Sequence, residues 1–87
     1  MIEIYTTERC PYCTRAKALL AEKGLSYTEY RVDTDEAKRD EMVARAHRRT
    51  VPQIFIHGRS VGGCDDLFEL VKHNRLEALL NQEQGHD

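Results

Sequence analysis

The sequence predicts an α/β fold, a small four-stranded mixed sheet with helices on both faces, built as βαβ and then ββα. Three observations lead there. Short runs rich in Ile, Val, Tyr and Phe alternate with longer stretches of helical periodicity. A strand–helix–strand unit comes first, and such a unit needs a right-handed crossover and a parallel pair. Later, "HGRS" reads as a turn between two short strands, which adds antiparallel pairing.

Each element has its own signal. "MIEIYTT" alternates Ile2 and Ile4 with Glu3 and Tyr5, the pattern of a strand. From Pro11, Ala16, Leu19 and Leu20 fall on one helical face, and Gly24 is the expected stop. "SYTEYRV" reads as the second strand. "DTDEAKRDEMVARAHRR" reads as a helix capped by Asp33 or Thr34, with Ala37, Met42, Val43 and Ala46 as its apolar stripe. Arg45, His47, Arg48 and Arg49 are expected in its last turn, where the helix dipole favours cations. "QIFIH" is a near-continuous apolar run and therefore a buried strand. "SVG" follows as a short strand, then "DDLFELVKHN" and "RLEALLN" as helices. Residues 1–82 are expected to form one domain and 83–87 a flexible C-terminal tail.

Composition narrows the function classes. The chain has 87 residues, 40% of them hydrophobic and 32% charged, as in a globular protein. A formal net charge of −2 gives no global field toward nucleic acid or an anionic membrane. No run is apolar enough to span a bilayer, and "MIEIYTTER" lacks the features of a signal peptide. A cytoplasmic location is expected, and a disulfide there is usually transient or catalytic. The three cysteines, Cys10, Cys13 and Cys64, are an odd number, which argues against a purely structural disulfide framework.

The chemistry centres on "RCPYCTRAK". Cys10 follows a strand and opens a helix, with Pro11 at the first helical position. The free N–H groups of that turn favour a thiolate, which is the nucleophile of disulfide exchange. Cys13 lies three residues on, nearly on the same side of the helix but one turn deeper. The asymmetry assigns attack to Cys10 and resolution to Cys13. Structural zinc needs four ligands, whereas only Cys64 remains and His47, His57, His73 and His86 show no paired spacing. No metal site is therefore expected.

"CPYC", "TVPQIFI" and "GGCDD" occur in the order and spacing of the dithiol glutaredoxins, and the chain most resembles the bacterial glutaredoxin 3 type. The resemblance spans "EIYT" to "ALL" and implies a thioredoxin fold. It also implies glutathione as co-substrate and reductant, with no permanently bound cofactor. Expected clients are glutathionylated or disulfide-containing proteins, ribonucleotide reductase among them by resemblance alone. Neither nucleic acid nor membrane is an expected partner, and the expected state is a monomer.

The same resemblance implies a cis Val51–Pro52 bond, which would leave Val51 backbone groups beside the cysteines. A peptide such as glutathione could pair with them as an added strand. Gly62 and Gly63 allow close backbone approach. The helix start after them, at Cys64 and Asp65, could hold a carboxylate, and Asp66 an adjacent ammonium. The plainer alternative is a glycine turn with capping acids. Tyr12 is read as lining the substrate groove or as a surface aromatic. Arg49, beside Thr50, is the candidate for the glycyl carboxylate, although a dipole-matched helix end explains most of the basic cluster. Relatives often carry a lysine three residues before the first cysteine, where this chain has Thr7, and Arg9 is a candidate substitute. Cys64 is read as a helix-start thiol open to glutathionylation or oxidation off the pathway. Two rivals remain, a redoxin reduced by thioredoxin reductase and an iron–sulfur cluster carrier.

Overall fold

The computed structural model describes residues 1–82 and contains the mixed sheet the sequence predicts; the expected tail at 83–87 lies outside the described residues. Strand β1 (Ile2–Thr6) leads through helix α1 (Pro11–Glu22) to β2 (Thr28–Arg31). Helix α2 (Glu36–Ala46) leads to the hairpin β3 (Gln53–Ile56) and β4 (Arg59–Gly62), and helices α3 (Cys64–Lys72) and α4 (Leu76–Asn81) follow. The strand order is β2-β1-β3-β4. β1 and β2 run parallel, with Tyr5 opposite Tyr30, whereas β3 pairs antiparallel with both β1 and β4.

Strand alternation divides the core between two faces. Ile2, Ile4, Ile54 and Ile56 pack on one face against Ala16, Leu19 and Leu20 of α1, Leu67 of α3 and Leu76 of α4. Tyr5 and Phe55 point to the other face, where Met42 of α2 and Val32 cover them. All four β3 residues are buried for this reason. α1 ends as expected, with Gly24 at φ +71° just past Lys23.

α2 departs from the sequence reading at both ends. Its cap is Asp35, whose side chain accepts the Lys38 N–H at 3.1 Å. Asp33 is engaged elsewhere, by the Glu8 N–H and the Arg31 guanidinium, and Thr34 bonds the Arg31 carbonyl. At the far end His47 turns left-handed at φ 60°, so the helix stops at Ala46. Arg48 and Arg49 thus lie beyond the last turn. Arg45 bends inward, to Glu3 at 3.0 Å and over the Phe55 ring at 4.0 Å.

Candidate active site

The site forms where α1 begins. Cys10 is the cap residue in extended geometry, Pro11 opens the helix, and the Cys13 N–H points at Cys10 Sγ at 3.0 Å. An N–H in that position stabilises a sulfur anion by a charge-assisted bond. Cys10 and Cys13 are joined as a disulfide, with Cα atoms 5.1 Å apart. Cys10 is 9% exposed and Cys13 1%. Cys10 is therefore the more accessible of the two residues, and Cys13 lies deeper.

The loop before β3 lies against Cys10. Val51–Pro52 is cis, as the resemblance implies, and the Val51 carbonyl oxygen is 3.8 Å from Cys10 Sγ. Val51, Pro52 and Thr50 form one wall of an open groove. Tyr12, 55% exposed, and Gly63 close it from the α1 and α3 sides. Two glycines make this fit possible. Gly62 sits at φ +102°, and a Cβ there would run into the Asp66 carboxylate. A Cβ on Gly63 would lie 3.3 Å from the Pro52 carbonyl oxygen. Bare backbone thus lets the start of α3 approach the proline loop.

Cys64, Asp65 and Asp66 bring the first turn of α3 into the groove. N–H groups in a first turn have no intrahelical partner and suit an anion. Asp66 Oδ2 accepts the Gly63 N–H at 2.9 Å, so the capping role anticipated for the acids is real. Arg48 reaches to 3.9 Å from the same oxygen, an exposed and therefore weak pair. Acid and base thus lie side by side at this end of the groove.

The sequence-predicted residues are thus largely brought together, with departures at Arg49, the Cys64 thiol and Arg9. Arg49 is exposed and does not line the groove; its neighbour Arg48 does. His47, just before this pair, is left-handed at φ 60°. Cys64 is 4% exposed, and burial pushes its thiol above the ordinary value. A protonated, buried thiol is a poor nucleophile, so the expected off-pathway modification does not fit. Thr7 faces a separate hollow with Val32, Asp33 and Arg39, and neither it nor Arg9 lines the groove. Gln53 is a lining residue that sequence reasoning missed. Its Nε2 donates to the Thr50 carbonyl and hydroxyl, at 3.0 and 3.1 Å, while its buried Oε1 has no partner. A polar residue opening an otherwise apolar buried strand was the available signal.

The chain is similar to known proteins over most of its length. The family model "Glutaredoxin" matches residues 2–61. Glutaredoxin 3 of Escherichia coli strain K12 is 56% identical over 79 residues, covering 91% of this chain and 95% of that protein. The solution structure of a Brucella melitensis glutaredoxin is 49% identical, with a TM-score of 0.79, covering 91% of this chain and 86% of that one. A buckwheat glutaredoxin–glutathione complex is 29% identical, with a TM-score of 0.83, covering 91% of this chain and 74% of that one.

Proposed function

This chain belongs to the glutaredoxin family and is a thiol–disulfide oxidoreductase, and from that premise we propose that glutathione is its co-substrate and that it reduces protein–glutathione mixed disulfides and protein disulfides. The observation that carries this reading is the juxtaposition of two unlike peptide-holding surfaces beside Cys10. The cis Val51–Pro52 segment offers backbone for strand-like pairing. The start of α3, with Asp66 and Arg48, offers a carboxylate site next to an ammonium site. Glutathione is a short peptide with charged groups of both signs at one end. Arg48, rather than Arg49, is the groove cation available to one of its two carboxylates. The glutathione bound in the buckwheat structure supports the same reading.

The reaction follows from the cysteine geometry. Cys10 thiolate attacks the glutathione sulfur of a mixed disulfide, and the client thiolate leaves and takes up a proton. A second glutathione thiolate attacks the glutathione sulfur now bonded to Cys10. Oxidised glutathione departs and Cys10 thiolate is restored. With a protein disulfide, Cys10 attacks one sulfur, and Cys13 then displaces the client and closes the internal disulfide. Two molecules of glutathione return that disulfide to the dithiol.

The test is a glutathione-coupled assay on a small cysteine–glutathione mixed disulfide. Cys13→Ser keeps activity on that substrate and loses it on protein disulfides, whereas Cys10→Ser loses both. Activity retained by the Cys10 variant would sink the assignment. A Cys10–Cys13 disulfide reduced by thioredoxin reductase but not by glutathione would favour the first rival.

A further inference from the structure

Beside the groove, on the outer edge of α1, the Arg15 guanidinium lies 5.3 Å from the Phe68 ring centroid and 5.9 Å from that of Tyr12. Tyr12 and Phe68, 55% and 37% exposed, are two of the three exposed large hydrophobic side chains among the described residues. They meet because Tyr12 and Arg15 are three apart on one helix, and Phe68 comes to the same place from α3. A guanidinium resting on aromatic faces is already ordered, and its N–H edge stays open for a planar carboxylate.

Among the described residues no acid occupies that edge. Arg15 makes no ion pair among the described residues, and the acids of α3 are otherwise placed. Glu69 meets His73 at 3.1 Å, Asp66 holds the Gly63 N–H at 2.9 Å, and Asp65 lines the groove. The patch is continuous with the groove, since Tyr12 belongs to both. From Cys10 to Arg15 the helix rises about 7.5 Å. An extended peptide covers that in roughly two or three residues.

We propose that the Tyr12–Arg15–Phe68 patch docks the polypeptide of disulfide clients, receiving an Asp or Glu near the client's reactive cysteine on Arg15 and an apolar neighbour on Phe68. This deepens the oxidoreductase reading above and rests on it. The groove handles what is common to all glutathione-linked substrates; the patch selects among polypeptides by charge. In the step it serves, the client's disulfide bond breaks and the Cys10–Cys13 bond forms. Two electrons and two protons pass to the client's sulfurs.

The experiment compares kcat/KM for three substrates. Two are synthetic peptides, each with one intramolecular disulfide, carrying either Glu or Lys three residues from a cysteine. The third is the small cysteine–glutathione mixed disulfide. The parent protein prefers the Glu peptide by roughly fivefold, the scale of an exposed ion pair, through KM. Arg15→Glu reverses the preference and stays within about twofold of the parent on the small substrate, the scatter of an uninvolved surface change. Phe68→Ala lowers kcat/KM on both peptides and spares the small substrate. An unchanged peptide preference in Arg15→Glu overturns the proposal, as does an equal loss on all three substrates. A parent that shows the peptide charge preference but fails on the small glutathione disulfide upholds the docking site and overturns the glutathione reading instead.

Discussion

Cys10 and Cys64 both stand at the start of a helix, yet their surroundings make them chemically unlike. Cys10 occupies the cap position, where its sulfur receives the Cys13 N–H at 3.0 Å. Cys64 is already inside its helix, and its side chain turns into the core beside Leu67. Burial raises its thiol pKa, with Asp65 adding to the shift and Arg15 opposing it. In the reduced protein near neutral pH, iodoacetamide should therefore alkylate Cys10 faster than Cys64 by on the order of tenfold or more. Mass spectrometry of the labelled peptides checks this. Comparable labelling of the two sites in the folded protein would refute the assignment, and denaturant should bring Cys64 up to the rate of an ordinary thiol. The motif "GGCDD" is thus best read as backbone chemistry, with its cysteine serving as a small core residue.

At the scale of elements, α2 is set by its ends. Asp35 accepts the Lys38 N–H and anchors the first turn. Asp35→Ala should destabilise the protein by about 1 kcal/mol, read as a lower urea midpoint at unchanged slope. A cost near zero would return the cap to another residue. At the helix's other end the chain turns left-handed at His47, and Arg48, the next residue, lines the groove. α1 and α3 meet the sheet on one face, and their N-termini both open toward the cis-proline loop. Two helix starts and one loop, distant in sequence, thus compose a single site.

For the whole molecule, the face opposite α1 and α3 is joined to the sheet by a polar network. Tyr5 donates to Glu41 at 2.7 Å and accepts from Arg45 at 2.7 Å, and Arg45 also binds Glu3. The Arg45 bond holds Glu3 below its ordinary value, and the Tyr5 bond does the same for Glu41. Burial, reinforced by Glu41, pushes Tyr5 up to about 12 from its ordinary 10.0. The depressed carboxylates contribute stability that is present above their ordinary 4.5 and lost as pH falls through their lowered values. The raised tyrosine contributes stability that is full below 10.0 and lost as pH rises toward about 12. Tyr5→Phe should therefore flatten the alkaline loss. At neutral pH it should cost about 1–3 kcal/mol, because Glu41 and Arg45 each lose a partner. Urea unfolding across a pH series measures both effects, and an alkaline slope equal to the parent's would rule out Tyr5 as its source.

The redox pair and the order of elements were legible in the sequence because each is a local matter. Hydrophobic period separates strand from helix, and Pro11 after Cys10 marks a helix start without knowledge of the rest of the chain. The ranking of Cys10 over Cys13 follows from the same helical turn, and the exposures agree with it. Tertiary structure alone decided that Arg48 and not Arg49 lines the groove, that Arg45 turns inward to Glu3, and that Cys64 is buried. It also decided that Gln53 keeps an unpartnered oxygen beside Pro52, and that Arg15 rests against Phe68 from another helix. These outcomes depend on side-chain direction where distant segments meet. A one-residue change at a helix end rotates the next side chain by roughly 100°, and sequence patterns leave such ends open by a few residues.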